Sequence, residues 1–554
     1  MREHFPDESV DLVYLDPPFK PNEQYNVLFR DRGAEGASTP SAAQVRAFED
    51  TWQWGTAARV AFNDVKENAP SGVRRTVEAL HTILGFSNMF AYLAMMAPRL
   101  VELRRVMKTT ASIYLHCDPA ASHYLKLLMD AIFDPGNFRN EIIWRRTGAH
   151  ATPRRFETIH DVILFYTKSD EHYFAPTKRA YTRTHVKSRY VETSDGKWQF
   201  NTGGNILSGP GVTEGESGAP WRGFNPTAKG RHWAIPGYLA EQMPDGFRSL
   251  GVLDRLDALL EAGLIEIKPD AEWPHPVKYL NAEDGILPAD IWAYQPGTEG
   301  VLHETTVGID NDVRWLGPKG AERLGYPTQK PEGLLDRIIL ASSRDGDIVL
   351  DPFCGCGTTI ASAERLERYW LGIDITYDAI PIIRDRLALT GLQDRIDYEV
   401  WGSPETAQDA AKLASEDPYQ FQWWAVRRLD GKEIERKKGA DRGVDGRITL
   451  IGDVEGRFPE AIVSVKAGRT GPAHVRELAG TMQAQKVEIG VLVVLNPPTK
   501  AMREAADAEG GYPGVGAEWC PRIQILTAAD IISGAGVKAP LAVSVSKKSR
   551  ARGR

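Results

Sequence analysis

Asp16-Pro17-Pro18-Phe19 puts a carboxylate, two prolines and an aromatic ring into four residues. Prolines hold φ fixed and cannot continue a hydrogen-bonded ladder, so the tetrapeptide reads as a stiff corner. The corner presents two acceptors, the Asp16 carboxylate and the Pro17 carbonyl, at a set separation. Phe19 adds a flat stacking face. The set suits a planar group carrying an NH2, such as a nucleobase with an exocyclic amine. A solvated Asp in a proline turn is the simpler alternative. The apolar run Leu12-Val13-Tyr14-Leu15 before it reads as a buried strand of a parallel sheet, whose carboxyl end would deliver the corner to a ligand crevice.

A second constellation lies far along the chain. Asp351-Pro352-Phe353-Cys354-Gly355-Cys356-Gly357-Thr358-Thr359 follows the apolar run Ile348-Val349-Leu350 and opens a helix over 358–368. Two glycines one residue apart permit close backbone approach to a ligand, and a helix N-terminus presents N–H groups. The third glycine of a dinucleotide fingerprint is missing. Asp374 ends the next predicted strand, where a carboxylate can accept both hydroxyls of a ribose. Cys354 and Cys356 have no second Cys or His pair at ligand spacing. They read as small residues of a tight turn, and no metal site is expected there.

The elements that would position these groups alternate. Residues 73–107 read as helices, with Leu93, Met96, Leu100 and Leu103 at helical spacing. A strand at Ala111–Asp118, a helix over 120–131 and a turn at Asp134-Pro135-Gly136 follow. Ile142-Ile143-Trp144 and Val162–Tyr166 have no helix between them, which predicts an antiparallel pair. Regularity returns with a helix at Glu332–Ser343, strands at Ile348–Leu350 and Trp370–Asp374, a helix over 377–390 and a strand at Ile396–Val400. This alternation predicts an α/β fold, a parallel sheet with helices on both faces. Residues 20–56 read as a loop, with Phe48–Trp52 over the crevice mouth. Residues 171–325 read as an irregular insert in which Trp198, Trp221, Trp233, Trp273 and Trp292 are scattered.

Composition narrows the class. A chain of 554 residues exceeds one core, so two or three domains are expected. Hydrophobic content of 42% and charged content of 25% fit a soluble globular protein. Four scattered cysteines exclude a disulfide framework and fit a reducing cytoplasm. The start, Met-Arg-Glu-His-Phe-Pro, is no signal peptide, and no apolar run is long enough to span a membrane. The net charge of −7 confines nucleic-acid binding to local patches. Residues 139–190 supply one: eleven Lys and Arg, among them Arg145, Arg146, Arg154 and Arg155, interleaved with Trp144, Tyr173, Phe174 and Tyr181. The tail from Lys547 is basic and expected to be disordered.

Taken together, residues 10–170 and 320–400 resemble the S-adenosylmethionine-dependent DNA amino-methyltransferases. Asp16-Pro17-Pro18-Phe19 matches the catalytic D-P-P-[YFW] signature, and Asp351–Gly357 the D-P-F-x-G-x-G cofactor loop. Pro327-Thr328-Gln329-Lys330-Pro331 matches H-P-T-Q-K-P, with Tyr326 in place of the usual His. Catalytic motif first and cofactor loop last is the order of the permuted β group. The resemblance implies a Rossmann-like, doubly wound methyltransferase sheet and methyl transfer from S-adenosyl-L-methionine to a flipped base of double-stranded DNA. It implies Asp16, Pro17, Pro18 and Phe19 as catalytic residues. It places Asp351, Phe353, Gly355, Gly357, Thr358, Asp374, Thr328 and Lys330 at the cofactor. An Asp-initiated signature favours adenine N6, since the cytosine N4 enzymes more often begin with Ser. The absence of a Pro-Cys motif argues against cytosine carbon-5. The family's upstream strand ending in Gly-Asp has no counterpart before Val10. Either the start lies upstream of Met1 or Ile396–Val400 takes its place, with Asp397 and Ser403 as candidates for the adenine side of the pocket.

Gly439–Gly446 and Ile462–Lys466 resemble the paired strands of the Mrr-like restriction-endonuclease fold. The resemblance places Asp445, Ser464 and Lys466 at its nuclease positions, with Ser464 where an acid or Gln usually stands. Glu435 and Glu477 are candidates to compensate. Mg2+ is expected only if this part cleaves DNA. The expected organisation is a catalytic half at 1–170, a recognition insert at 171–325, a cofactor half at 326–402, a linker with a short helix at 403–418, an endonuclease-like domain at 419–535 and a tail at 536–554. Competing readings are a single-chain restriction–modification enzyme, a cytosine N4 methyltransferase and a catalytically silent DNA-binding protein. No membrane contact is expected, and a homodimer stays open.

Overall fold

The computed structural model describes residues 5–18, 54–148, 156–200, 208–269, 272–317, 320–324, 326, 328–374, 379–394, 396–429, 431–433, 444–449, 460–513 and 519–538. Phe19, Phe48–Trp52, Arg154, Arg155, Glu435 and the tail from Lys547 lie outside the described residues. The chain forms two compact units: Met1–Ala175 together with Trp315–Arg554, and Pro176–Arg314.

The first unit holds the central sheet. Its strands are β1 (Val10–Leu15), β2 (Met107–Cys117), β3 (Phe138–Arg145), β4 (His160–Thr167), β5 (Ile348–Asp351) and β6 (Tyr369–Gly372). They lie side by side as β3-β4-β2-β1-β5-β6. β1 is parallel to both β2 and β5, and β5 to β6. β4 runs antiparallel to β2 and β3, the pairing that the short spacing between those runs predicts. The helices are α1 (Thr56–Asn68), α2 (Ser71–Leu84), α3 (Asn88–Val106), α4 (Pro119–Phe133), α5 (Glu332–Ser342), α6 (Thr358–Arg365) and α7 (Ala379–Leu389).

Local chemistry sets the ends of these helices. Ser87 caps α3, its Oγ accepting the Phe90 N–H at 3.2 Å. Asp118 caps α4 by accepting the Ala121 N–H at 3.0 Å, and Pro119 opens that helix. Leu93, Met96, Leu100 and Leu103 are all buried on α3, as their spacing predicts. Each contributes roughly 1.5–3 kcal/mol of burial. Side chains alternate along β2: Ile113, Leu115 and Cys117 join the core shared with α1–α4. Tyr114 points the other way and shares a 2.7 Å hydrogen bond with Ser342 of α5. Helices therefore cover both faces, and the sheet is doubly wound.

The expected strand at Ile396–Val400 is absent. Ile396 and Asp397 donate their N–H groups back to the Gln393 carbonyl at 3.2 and 3.0 Å. The Asp397 carboxylate accepts the Gln393 N–H at 2.8 Å. An Asp that satisfies its own local backbone closes a turn rather than feeding a ladder, and only an isolated bridge, Asp394 to Tyr398, remains.

The unit Pro176–Arg314 is built from short paired strands and short helices around Trp221, Trp233, Phe247, Leu256 and Trp273. The indole N–H groups are satisfied inside it, Trp233 by the Ala219 carbonyl at 2.8 Å and Trp221 by Asp257 at 3.2 Å. These tryptophans form a core.

A second sheet lies near the C-terminus. It orders β7 (Lys432–Glu433), β8 (Gly446–Thr449), β9 (Glu460–Lys466), β10 (Ile489–Val494) and β11 (Ile523–Thr527). β9, β10 and β11 are parallel, and β8 is antiparallel to β9. Helices α8 (Ala407–Glu416), α9 (Pro418–Arg428), α10 (Pro472–Gln485), α11 (Lys500–Asp507) and α12 (Ala528–Ile532) accompany it. The stretch read as a linker carries α8, whose Ala410 and Ala414 are buried in one cluster with Phe421, Trp424 and Val463. Thr406 and Asp409 form a capping box at its start. Ala410→Asp should therefore destabilise this C-terminal core by roughly 3 kcal/mol, the cost of burying an unpaired charge. Denaturant unfolding checks it: an unchanged midpoint would mark the segment as a linker.

Candidate active site

β1 and β5 pair in the register Leu12 to Val349 and Val13 to Leu350. Their carboxyl ends, carrying Asp16 and Asp351, therefore lie side by side. The chain leaves β1 towards β2 and leaves β5 towards β6, so the winding reverses between them. Ligand crevices of such sheets open at this point. Asp16 and Pro18 are half-buried and Pro17 is buried at the end of β1. The Asp16 Oδ2 accepts a hydrogen bond from Lys330 Nζ, which also donates to the Thr328 carbonyl at 3.3 Å. The ion pair joins the two ends of the methyltransferase-like region, because Lys330 comes from the segment leading into α5.

The loop between β5 and α6 organises itself around Asp351. One carboxylate oxygen accepts the Phe353 N–H at 3.0 Å, and the other accepts the Thr359 hydroxyl at 2.5 Å. Both oxygens hold the loop. Burial pushes the Asp351 carboxyl up to about 7, against the pull of those two donors, and the charges of Asp16 and Asp374 add to the rise. Gly355 (φ 49°) and Gly357 (φ 74°) take left-handed conformations that side chains resist. A Cβ on Gly357 would lie 2.7 Å from Ile383 Cγ1, and one on Gly355 3.3 Å from the Tyr326 ring. Tyr326, standing where His is usual, thus lies against the loop. The Gly355 N–H donates to Asp374 Oδ2 at 2.9 Å, so Asp374 anchors the loop to the end of β6. Gly357 is the N-cap of α6 and gives that helix no side-chain cap hydrogen bond. Burial raises the Cys354 and Cys356 thiols, which stay protonated in the turn.

Asp16, Asp351 and Asp374 thus converge with Gly355, Gly357, Thr358, Thr328 and Lys330 around the ends of β1, β5 and β6. Three carboxylates around a glycine cradle suit a cationic ligand. S-adenosylmethionine, with its sulfonium and ammonium, fits that charge.

A buried polar line crosses the sheet beside this crevice. The Tyr14 hydroxyl shares a 2.9 Å hydrogen bond with His116 Nδ1, and His116 Nε2 meets Asp161 Oδ2 at 3.1 Å. Arg146 completes it as an ion pair with Asp161 at 3.0 Å. Burial pushes the Asp161 carboxyl up, but the hydrogen bond and charge of His116, with Lys330 and Arg146, hold it below the usual range. Burial and the charges of Asp16, Asp351 and Asp161 push the Tyr14 hydroxyl well up.

Several residues of the basic run are engaged within the fold. Arg139 pairs with Asp170 at 2.8 Å and Lys168 with Glu8 at 3.0 Å. The Arg145 guanidinium lies 5.0 Å from the Trp315 ring centroid, and its Nε donates to the Thr147 carbonyl at 3.3 Å. In the C-terminal sheet, Gly446 pairs with Val463, so the register places Asp445 opposite Ser464. Lys466 lies two residues on, sharing a face with Ser464. Asp445 Oδ2 accepts the Val465 N–H at 2.7 Å. Among the described residues, no three His, Cys, Asp or Glu side chains gather as metal ligands. One carboxylate beside a hydroxyl does not fit a divalent cation that needs several oxygen ligands. Asp397, held in its turn, and Ser403 stand outside the sheet.

Sequence reading passed over Tyr14, His116, Asp161, Thr359, Glu332 and Arg386. For Tyr14 and His116 a signal existed: each is a polar side chain within a local apolar run, one residue from the end of its strand. Arg386 carries no local signal, since a charged residue on an amphipathic helix usually faces water.

A family model described as DNA methylase (N6_N4_Mtase) matches residues 10–385. A second, described as NACHT-associated inactive Restriction Endonuclease 1, matches residues 418–530. The type II methyltransferase M.EcaI of Enterobacter cloacae is 29% identical over 305 residues, covering 54% of this chain and 58% of that protein. The type III restriction-modification enzyme StyLTI Mod subunit of Salmonella typhimurium is 26% identical over 360 residues, 64% of this chain and 46% of that protein. The chain thus spans about half the length of the curated relatives it matches. Among solved structures, the PvuII cytosine-N4-specific DNA methyltransferase aligns over 71% of this chain and 83% of its own, at 13% identity and a TM-score of 0.28. The M1.HpyAVI–SAM complex aligns over 69% and 89%, at 13% identity and a TM-score of 0.26. With the model covering well over half of its residues and both motif ends meeting in one crevice, the chain belongs to the N6_N4 DNA methylase family.

Proposed function

We propose that the protein methylates double-stranded DNA at the exocyclic amine of a flipped base, adenine N6 by the Asp-initiated signature, with S-adenosyl-L-methionine as methyl donor. The observation that carries the reading is the convergence of Asp16, Asp351 and Asp374 on one glycine-lined crevice at the winding reversal. Bound there, S-adenosyl-L-methionine supplies an electrophilic methyl group. Asp16 and the Pro17 carbonyl accept the two N–H bonds of the target amine, which frees its lone pair from the ring. Lys330 holds the carboxylate rotamer. Gly355 and Gly357 let the backbone approach the donor, with Phe353, Thr358 and Thr328 lining the loop around it. Phe19 stacks on the base. The nitrogen surrenders its surplus proton after transfer, and Asp16 is the nearest acceptor. Rate comes from alignment and electrostatics. Arg154 and Arg155 contact phosphates, and Arg145 and Arg146 reach them while keeping their contacts with Trp315 and Asp161.

The unit Pro176–Arg314 holds 14 Lys and Arg against 19 Asp and Glu. Its part in recognition therefore rests on local contacts rather than overall charge. The C-terminal domain, with Asp445, Ser464 and Lys466, holds DNA without cutting it. All four cysteines are buried, and no disulfide joins any two of them, which suits a reducing cytoplasm. Among the described residues, no helix is long and apolar enough to cross a membrane.

Three groups of measurements decide these points, the first on the transfer and its target base. Asp16→Ala should lower methyl transfer to DNA by about 10²–10³-fold with cofactor binding retained. Sequencing modified bases in DNA from expressing cells should show N6-methyladenine, whereas N4-methylcytosine would reassign the target. Equal transfer by Asp16→Ala and wild type would remove Asp16 from the chemistry. The second reads Asp351. Its carboxyl, raised to about 7, makes the folded chain bind more protons than the unfolded one from the ordinary Asp range up to 7. Stability of the free protein therefore falls as pH rises through that window. A cationic ligand lowers the Asp351 value, so binding S-adenosyl-L-methionine at pH 7 should release about half a proton. Calorimetry in buffers of different ionisation enthalpy reads this, and proton uptake would contradict it. Third, unmodified DNA incubated with Mg2+ should stay intact. Discrete fragments that vanish in Lys466→Ala would establish a single-chain restriction–modification enzyme.

A further inference from the structure

Arg386 is almost fully buried on α7, at 8% exposure. Its guanidinium joins two segments that are far apart in sequence. Nη1 donates to the Cys356 carbonyl at 3.1 Å and to the Thr358 hydroxyl at 3.3 Å, both in the loop between β5 and α6. Nη2 donates to Glu332 Oε1 at 2.6 Å. Glu332 opens α5 only two residues after Lys330, the partner of Asp16. Its own N–H is held by Glu322 at 2.7 Å, so the start of α5 is fixed on both sides. Ile383, one turn earlier on α7, presses on Gly357 closely enough to forbid a side chain there. α7 therefore grips the loop by an apolar contact and a charged fork together.

An arginine buried in this way makes sense only if its fixed fork is used. A lysine in its place keeps the charge but cannot reach a carbonyl, a hydroxyl and a carboxylate at set angles. Contacts run from the loop glycines through Cys356, Arg386 and Glu332 to the Lys330 segment, and from Lys330 to Asp16. The loop that would hold the donor and the carboxylate that would hold the target amine are thus joined by these hydrogen bonds and by the short backbone stretch from Lys330 to Glu332.

We infer that Arg386 and Glu332 are a positioning pair. They set the cofactor loop and the Lys330–Asp16 pair in one geometry, so that donor and target amine are aligned together. The inference rests on the loop being the S-adenosyl-L-methionine site. Neither residue touches the reacting atoms. Their effect is on alignment, and a displacement of about 1 Å between reacting atoms costs on the order of 10²-fold in rate.

The test uses the full chain, S-adenosyl-L-methionine and unmodified genomic DNA. Calorimetry first measures binding of S-adenosyl-L-methionine to the wild type; no binding would overturn the functional reading and this inference with it. Arg386→Lys and Glu332→Gln are then compared per folded molecule, with thermal melting giving the folded fraction. Each should lower kcat at saturating cofactor about tenfold or more and weaken cofactor binding in the same direction. The double variant should fall no further than the worse single, because the pair acts as one unit. Wild-type kcat and cofactor affinity in both variants would overturn the inference alone, leaving Asp16 and the loop in their roles. So would losses that multiply in the double variant, which mark two independent structural contacts.

Discussion

The pairing of β1 with β5 is the constraint on which the methyltransferase fold depends. The two strands come from opposite ends of the region, and Asp11 at the start of β1 accepts the Ile348 N–H across 337 residues of sequence. Asp11 is itself held by Lys108 of β2 at 2.7 Å, so three strands are registered at their amino ends. A one-residue slip would turn every side chain of β1 to the other face. Tyr14 would lose His116, and Asp16 would leave the crevice. The long loop that must close before this pairing forms has a modest entropic cost but makes the contact a late, non-local one.

The same pairing concentrates negative charge. Three carboxylates lie at neighbouring strand ends; burial lifts Asp351 to about 7, and the charges of Asp16 and Asp374 add to the rise. The protein offsets part of this with Lys330 and organises the rest through donors: Phe353 and Thr359 on Asp351, Gly355 on Asp374, His116 on Asp161. What remains favours a cation over a neutral or anionic ligand in the crevice. For a polyanionic substrate the sign is adverse, since the chain as a whole is at −7. The proposed contact with DNA would then depend on arginines acting within roughly 10 Å, the reach of a charge at 0.1 M salt.

Much of this was legible. The apolar run before Asp16, the glycines after Asp351 and the missing helix between Trp144 and Val162 each carry their structure in local pattern. The strand expected at Ile396–Val400 failed because Asp397 has a local partner in Gln393, and alternation says nothing about side-chain capture of the backbone. The short helix expected within 403–418 is present, but its part in the C-terminal core was not legible: two alanines are a weak apolar signal, yet Ala410 and Ala414 are small enough to let α8 sit against Phe421 and Trp424. The basic run showed charge but not partners: Asp170 and Glu8, which engage Arg139 and Lys168, lie 31 and 160 residues from them. Glu332 and Arg386 meet only through tertiary packing, which no sequence window contains.

The capping box at Thr406 has a consequence for how the polypeptide can be divided. Because α8 contributes side chains to the C-terminal core, that core begins at its cap rather than at Pro418, where the second family match starts. A truncation, fusion or exchange made at 418 would leave a cavity in one piece and an unmatched apolar helix on the other. Any division that keeps both cores whole has to break the chain between the end of α7 and Thr406.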